Sequence, residues 1–210
     1  MKILSLDSSS PVASVALVET GTAPGTGGIM FHWEKPHKRS DSSALFAGLR
    51  EAVKAGGRPD RLCVGLGPGS YNGLRAGIAT AQGFATALGL PLTALPSPLA
   101  LPGPDSGFHA VGDARGGHYW IATVKGGAFM AEPKLLTPSE AATYLETLPE
   151  LPVLGSAPLK EIERIIIATP EAARLAKLSE KTEPCDGTPE PLYLKPPHIT
   201  MPKSSPHPAA

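Results

Sequence analysis

The stretch GLGPGSYNGLRAGIATAQGFATAL, residues 65–88, decides the fold class. It overlaps the end of a short apolar strand, Leu62 to Leu66, and opens with a glycine-rich loop. After that loop, apolar residues recur at helical spacing from Leu74 to Leu88, which predicts a helix. A strand, a tight loop and a helix in this order form the building unit of α/β proteins.

The glycine-rich loop has two interpretations. It suits a tight strand-to-helix turn, and its backbone N–H groups at a helix start also suit an anion site. It is not a dinucleotide fingerprint, because Asn72 stands where the third glycine belongs, and it is not a P-loop, because no Gly-Lys-Ser/Thr follows. The structural turn would comprise Gly67, Pro68, Gly69, Ser70 and Gly73.

Two glycines lie inside the predicted helix, Gly77 and Gly83. Each costs about 1 kcal/mol relative to alanine, so a reason for them is expected. Small residues let another backbone approach a helix closely. That backbone belongs either to this chain's own sheet or to a helix of another subunit, and the sequence leaves both open.

The same order of predicted strands and helices occurs twice along the chain. Residues 1–100 predict β-β-β-α-β-α-β, and a poorer copy of this pattern follows a proline-rich joint at 96–104. We therefore predict a first α/β subdomain at 1–100, a smaller second one at 101–195, and a cleft between them. The tail at 196–210 is rich in proline, and we predict that it is disordered.

Composition excludes several classes of protein. The 210 residues carry 19 basic and 19 acidic side chains, which argues against strong direct binding of nucleic acid. Cys63 and Cys185 show neither metal-type spacing nor a disulfide framework, so a reducing compartment is expected. Asp7 interrupts the first apolar run, and prolines interrupt the longest uncharged stretch. We therefore expect a cytoplasmic protein without a signal peptide or a membrane span.

Two aspartates are candidates for chemistry. Asp7 ends the first strand and Asp113 lies at a similar place in the second half, so the pair would suit Mg-nucleotide chemistry across a cleft. Each could instead cap its own turn through backbone N–H groups, which we favour because no further carboxylate or phosphate-binding lysine supports the first interpretation. The six histidines form no HExxH motif, and no GxSxG elbow is present.

Four segments in this order resemble a known family: ILSLDSSSPVASVAL, GLGPGSYNGLRAGIATAQGFATALGLPL, GDARGGHYW and PLYLK. They are similar to the TsaB subunits of the bacterial machinery that makes threonylcarbamoyladenosine in tRNA, a glycoprotease-like family. The resemblance covers residues 1–195. It implies an actin-like, sugar-kinase-like (RNase H-like) α/β fold of two related subdomains, the second of them reduced.

The resemblance also implies a function. The chain would be a non-catalytic scaffold that supports a TsaD-like catalytic subunit in threonylcarbamoyl transfer to N6 of the adenosine 3′ of the anticodon. A TsaE-like ATPase would join the complex, and the chain alone would form a homodimer. It would have no cofactor of its own, with ATP and Mg bound in the complex or weakly in a vestigial cleft. An active Mg-dependent ATPase or kinase using Asp7 and Asp113 is the alternative.

The resemblance and the residue patterns assign two sets of positions. The predicted partner interface, on the first two helices, comprises Leu45, Leu49, Ala52, Val53, Leu74, Gly77, Ile78, Ala81 and Ala85. The predicted vestigial nucleotide cleft comprises Asp7, Ser8, Ser9, Asp113 and Arg115.

Overall fold

A computed structural model describes residues 1–21, 27–36 and 42–195. Within these ranges the chain forms two β-sheets, four α-helices and a short 3₁₀ helix at Ser97–Ala100. No helix in the described ranges is long and apolar enough to cross a membrane. The predicted disorder at 196–210 falls outside the described residues and stays a prediction.

The first sheet has five strands in the order β3-β2-β1-β4-β5. They are β1 (Lys2–Asp7), β2 (Val12–Thr20), β3 (Gly27–Pro36), β4 (Arg61–Gly65) and β5 (Leu92–Leu95). The first three are antiparallel neighbours, whereas β4 and β5 run parallel to β1. The carboxyl ends of β1, β4 and β5 therefore meet at one edge, where α/β proteins form their sites.

Two helices cover one face of this sheet, α1 (Ser42–Gly56) and α2 (Tyr71–Leu88). Their apolar sides pack on Leu4, Leu6 and Val15 of the sheet to form the largest core cluster. The helix α2 begins three residues before the predicted start, because the glycine-rich turn is shorter than the pattern of apolar residues suggested. The positions with helical apolar spacing thus define the buried side of each helix.

The second sheet repeats the topology of the first. Its order is β11-β10-β6-β7-β8, with β9 also paired to β7. The strands are β6 (Phe108–Arg115), β7 (His118–Lys125), β8 (Ala128–Phe129), β9 (Lys134–Leu136), β10 (Val153–Gly155) and β11 (Ile165–Ile167). As in the first sheet, an antiparallel hairpin continues into two parallel strands. The predicted duplication is visible in this order, although β9 and β11 were not predicted from the sequence.

The second half has fewer helices than the first. The helix α3 (Pro138–Thr147) connects β9 to β10, as α1 connects β3 to β4. It begins with the predicted capping box, in which Thr137 and Glu140 satisfy each other's backbone N–H groups. The described connection from β10 to β11 contains no helix, whereas α2 fills the corresponding place in the first half.

The last helix, α4 (Ala172–Ser179), packs on the first sheet rather than the second. It lies on the face opposite α1 and α2, and Leu175 contacts a cluster that includes Ile3 and Val18. The Ser5 hydroxyl donates to the backbone oxygen of Ala172 at 2.5 Å. A helix within the predicted second subdomain therefore completes the core of the first.

Candidate functional site

Asp7 lies where three strand ends meet, and it is wholly buried. Its Oδ1 accepts hydrogen bonds from the backbone N–H of Ser9 at 2.9 Å and from the Ser9 hydroxyl at 2.7 Å. Its Oδ2 accepts from the Ser97 hydroxyl at 2.5 Å, and Ser97 Oγ accepts from the Gly67 N–H at 2.9 Å. The carboxylate thus ties the ends of β1, β4 and β5 together.

Burial dominates the electrostatics of Asp7. Removal from water raises the pKa of its carboxyl group, and the hydrogen bonds from Ser97 and Ser9 offset only part of this rise. A Cβ at Gly65 would lie 1.8 Å from Asp7 Oδ2, so the carboxylate also requires glycine there. This geometry agrees with the interpretation of Asp7 as a turn cap.

Asp113 lies in a different environment, at the exposed end of β6. Its Oδ1 accepts from the backbone N–H of Arg115 at 2.7 Å, and its Oδ2 lies 3.1 Å from the Arg115 guanidinium. The residue therefore also caps its own turn. Because both side chains of this ion pair are largely exposed, the pair contributes little to stability.

The cleft between the two halves is almost closed. A cavity of about 30 Å³ remains, which is room for about one water molecule. Small-molecule sites are about ten times larger or more. Its lining includes Ser9, Ser10, Ser97, Val111 and Trp120 but neither Asp113 nor Arg115. Of the five residues predicted to form a nucleotide cleft, the structure brings together Asp7, Ser8 and Ser9 and leaves Asp113 and Arg115 apart.

Sequence reasoning missed Ser97 and Trp120. Ser97 follows the carboxyl end of β5, and a parallel strand next to β4 is the signal that could have found it. Trp120 was assigned only to a strand, and its place in the cavity wall depends on how the two sheets meet.

The glycine-rich segment forms the structural turn. Gly67 has φ +85°, a conformation that favours glycine. A Cβ at Gly69 would lie 2.1 Å from the backbone oxygen of Ser9, which also accepts from the Ser70 N–H at 3.4 Å. The Ser8 hydroxyl donates to the Gly73 oxygen at 2.9 Å. Backbone contact with the Asp7–Ser10 loop thus explains Gly69, and the positive φ explains Gly67.

The structure corrects the predicted partner interface. Except for half-buried Val53, its residues are buried inside this chain; they are Leu45, Leu49, Ala52, Leu74, Gly77, Ile78, Ala81 and Ala85. They face the first sheet, because the apolar stripe of each helix is its core side. A Cβ at Gly77 would lie 2.1 Å from Ser8 Oγ, so Gly77 makes room for a side chain of this chain rather than for the backbone of another subunit.

The opposite side of the same two helices is exposed, and it carries both charged residues (Arg50, Glu51 and Lys54 on α1) and a set of small or apolar residues. We call this set the α1–α2 outer face, and it comprises Phe46, Ala47, Ala79, Gly83 and Ala87. Phe46 is 48% exposed, and its ring meets the Phe84 ring edge-on at 5.9 Å between centroids. No atom of the described chain lies within 4 Å of a Cβ placed on Gly83. The contacts of this chain therefore give no packing reason for Gly83.

Two of the motifs that carry the resemblance meet beside the start of α2. The rings of Tyr71 and Tyr193 stack with centroids 5.2 Å apart, and the Arg75 guanidinium lies 5.4 Å from the Tyr71 ring. Partial burial raises the pKa of Tyr193. The Leu192 N–H donates to the Leu66 oxygen at 2.8 Å, which holds the PLYLK segment on the first half.

Comparisons with known proteins show a family model and curated proteins to which parts of the chain are similar. Residues 33–101 match the family model of TsaD, tRNA N6-adenosine threonylcarbamoyltransferase. An uncharacterized protein of Mycobacterium bovis is 29% identical over 90 residues, and an uncharacterized protein of Mycobacterium tuberculosis matches equally. The alignment covers 43% of this chain and 43% of either relative, so the chain spans less than half the length of these curated relatives.

Two solved structures from Pseudomonas aeruginosa share the fold. One is an uncharacterized protein with similarity to the peptidase YeaZ, with a TM-score of 0.73 at 21% identity, covering 92% of this chain and 99% of that one. The other is YeaZ, with a TM-score of 0.66 at 21% identity, covering 85% and 90%. Together with the repeated sheet order, they confirm the predicted actin-like, RNase H-like α/β fold.

These matches agree with the resemblance that the sequence motifs indicate. The chain shares the fold of YeaZ, and the TsaD family model matches the segment that contains α1, β4 and α2.

Proposed function

We propose that the chain is a non-catalytic subunit of a tRNA threonylcarbamoyltransferase complex. In this role it binds a TsaD-like catalytic subunit, which transfers the threonylcarbamoyl group to N6 of the adenosine 3′ of the anticodon. The match to the TsaD model and the TsaB-like fold support this assignment. The narrow cleft between the halves supports it as well, because a volume of about 30 Å³ does not admit a nucleotide.

Gly83 is the observation that carries the proposal. A glycine inside a helix costs about 1 kcal/mol relative to alanine, and nothing in the described chain requires one at this position. Close approach of a helix from another subunit supplies the reason. Exposed Phe46, beside the Phe84 ring, gives the same face an aromatic anchor of the kind that dominates protein interfaces.

The partner surface is therefore the α1–α2 outer face. The same face pairs two copies of the chain when the catalytic subunit is absent. ATP and Mg bind to the other subunits, among them a TsaE-like ATPase. This chain positions and orients the catalytic subunit.

The test replaces Gly83 in the full chain and measures binding to the TsaD-like subunit encoded in the same genome. Because Gly83 faces open space, Gly83→Leu leaves the fold intact and obstructs a close helix contact. We expect affinity to fall at least about tenfold by calorimetry, a change of about 1.4 kcal/mol. Threonylcarbamoyladenosine formation in the reconstituted system falls with it.

The matched control is Thr143→Leu, an equally exposed position on α3, which leaves affinity unchanged. A second variant, Phe46→Asp, weakens binding as Gly83→Leu does. The proposal is overturned if the wild-type chain does not bind the TsaD-like subunit, or if both outer-face variants bind like the wild type.

The alternative function, an Mg-dependent ATPase or kinase, is tested in a separate experiment. An Mg-dependent ATPase that uses Asp7 and Asp113 requires the isolated chain to bind ATP with Mg²⁺ in the micromolar range and to lose that binding in Asp7→Asn. We expect no such binding, because both Asp7 oxygens accept hydrogen bonds inside the protein and Asp113 lies outside the cleft wall.

A further inference from the structure

The second half of the molecule has a groove where the first half has a helix. In the first half, α2 connects β4 to β5 and packs beside α1 on the sheet. In the second half, residues 156–164 connect β10 to β11 without a helix. A groove of about 790 Å³ lies beside α3, over the amino ends of β6, β10 and β11, on the side of the sheet that α2 covers in the first half.

The floor of this groove is apolar. It includes Leu145 and Leu148 at the end of α3, Val153 at the start of β10, and Ile162. Leu145, Leu148 and Val153 are only half-buried. Ile166 on the edge strand β11 also lines the groove and is 56% exposed. Apolar side chains gathered in a concave surface are typical of a binding site for another protein.

The wall formed by residues 149–152 is held in place by His109. Its ring is buried, with Nε2 lying 2.9 Å from the Pro149 oxygen and Nδ1 lying 3.0 Å from the Thr123 hydroxyl. The His109 N–H donates to the Pro152 oxygen at 2.8 Å. Because both ends of this segment are hydrogen-bonded, the groove exists before any partner arrives.

The rim of the groove is acidic. It carries four exposed carboxylates, on Glu146, Glu150, Glu161 and Glu163, and one guanidinium, on Arg164. Within the described ranges none of the four carboxylates takes part in an ion pair. An excess of negative charge around an apolar floor is complementary to a cationic partner.

We propose that this groove, the α3 groove, binds a basic amphipathic helix of a partner protein. A helix suits the groove because the corresponding place in the first half holds α2. The apolar stripe of the helix contacts Leu145, Leu148 and Ile162, and its lysines and arginines face the rim glutamates. The groove is on the other half of the molecule from the α1–α2 outer face, so the inference does not depend on the proposed function.

The test uses a designed leucine–lysine amphipathic peptide of about 18 residues, about five helical turns. A leucine–glutamate peptide of the same pattern is the charge control. Calorimetry with the full chain should detect binding of the lysine peptide only. Glu146→Lys with Glu163→Lys should weaken binding at least about tenfold, through charge repulsion at the rim. Glu132→Lys with Glu180→Lys changes the net charge equally outside the groove and should leave binding unchanged.

A second variant separates the groove from general charge attraction. Ala142→Trp fills the groove from α3 without altering a charge, and it should also abolish binding. The inference is overturned if the lysine peptide does not bind, if the two charge-reversed pairs bind alike, or if Ala142→Trp has no effect.

Two results would identify a different occupant and also overturn the inference. The first is a dimer of the full chain that Ala142→Trp dissociates, which would identify a second copy. The second is a chain ending at Lys195 that binds the peptide at least about tenfold more tightly than the full chain, which would identify the tail as occupant.

Discussion

Gly77 and Gly83 lie on one helix, six positions apart, and have opposite environments. Gly77 faces the sheet, where the Ser8 side chain occupies the space of a Cβ, whereas a Cβ on Gly83 would lie in open space. The same residue type therefore serves the interior of this protein at one position and its surface at the other.

Alanine at these two positions should change stability in opposite directions. Gly83→Ala should stabilise the isolated chain by about 0.5–1 kcal/mol, because alanine loses less backbone entropy in a helix. Gly77→Ala should destabilise it by about 1–3 kcal/mol, because the new Cβ forces Ser8 to move. Urea unfolding of the two variants measures both effects, and stabilisation by Gly77→Ala would contradict the packing described here.

The burial of Asp7 predicts how the stability of the folded chain depends on pH. Burial raises the pKa of Asp7 in the folded chain, so the folded chain binds this proton more tightly than the unfolded chain does. As the pH falls from neutral through the folded pKa towards the unfolded value, the wild type should gain stability relative to Asp7→Asn. Urea unfolding of both proteins across this pH range gives the difference, and a difference that moves the other way would mean that the hydrogen bonds outweigh burial.

At the scale of elements, the starts of α2 and α3 are built differently. The helix α2 begins at a turn in which Gly69 packs against the backbone of Ser9, so its start depends on the tertiary structure. The helix α3 begins at a capping box that is complete within four residues of sequence. The hydrogen bonds from Thr137 lower the pKa of Glu140.

Removal of the capping box should therefore have a local effect. Thr137→Ala should cost about 1 kcal/mol and should increase fraying of the first turn of α3. Hydrogen exchange at the amides that follow Thr137 reports that fraying. Thr143→Ala, at an exposed interior position of the same helix, should be neutral or slightly stabilising. Equal losses at both positions would argue against the cap.

At the scale of the whole molecule, the end of the described chain completes the first half. The helix α4 closes the face of the first sheet opposite α1 and α2. Beyond it, the Cys185 N–H donates to the Leu92 oxygen at 2.8 Å. Cys63 lies beneath α4, and burial raises the pKa of its thiol to about 12. The first sheet therefore needs residues from both ends of the sequence.

This arrangement predicts a long-range effect of a mutation in α4. Leu175→Ala, at a wholly buried position, should cost about 2–5 kcal/mol and should reduce amide protection in β1 and β2, which are far away in sequence. Lys177→Ala, at an exposed position of the same helix, should stay within about 0.5 kcal/mol of the wild type. Unchanged exchange in β1 and β2 would show that α4 is a separate unit.

The sequence by itself determined the class of fold, the first two helices and the turn between β4 and α2. These depend on local patterns, namely apolar spacing, capping residues and glycines, which act within one or two turns of chain. It also supplied both interpretations of Asp7, as a turn cap and as a metal ligand, and favoured the turn cap.

Only the tertiary structure decided which face of each helix is free. Apolar spacing marks the buried side of a helix but does not say whether its own sheet or another subunit covers it, and here the sheet does so for Leu45, Leu74 and Ile78. In the same way, the narrow cleft, the position of α4 and the α3 groove depend on contacts between residues far apart in sequence. Such contacts are fixed by how the two sheets and their helices pack, and no short pattern of residues encodes them.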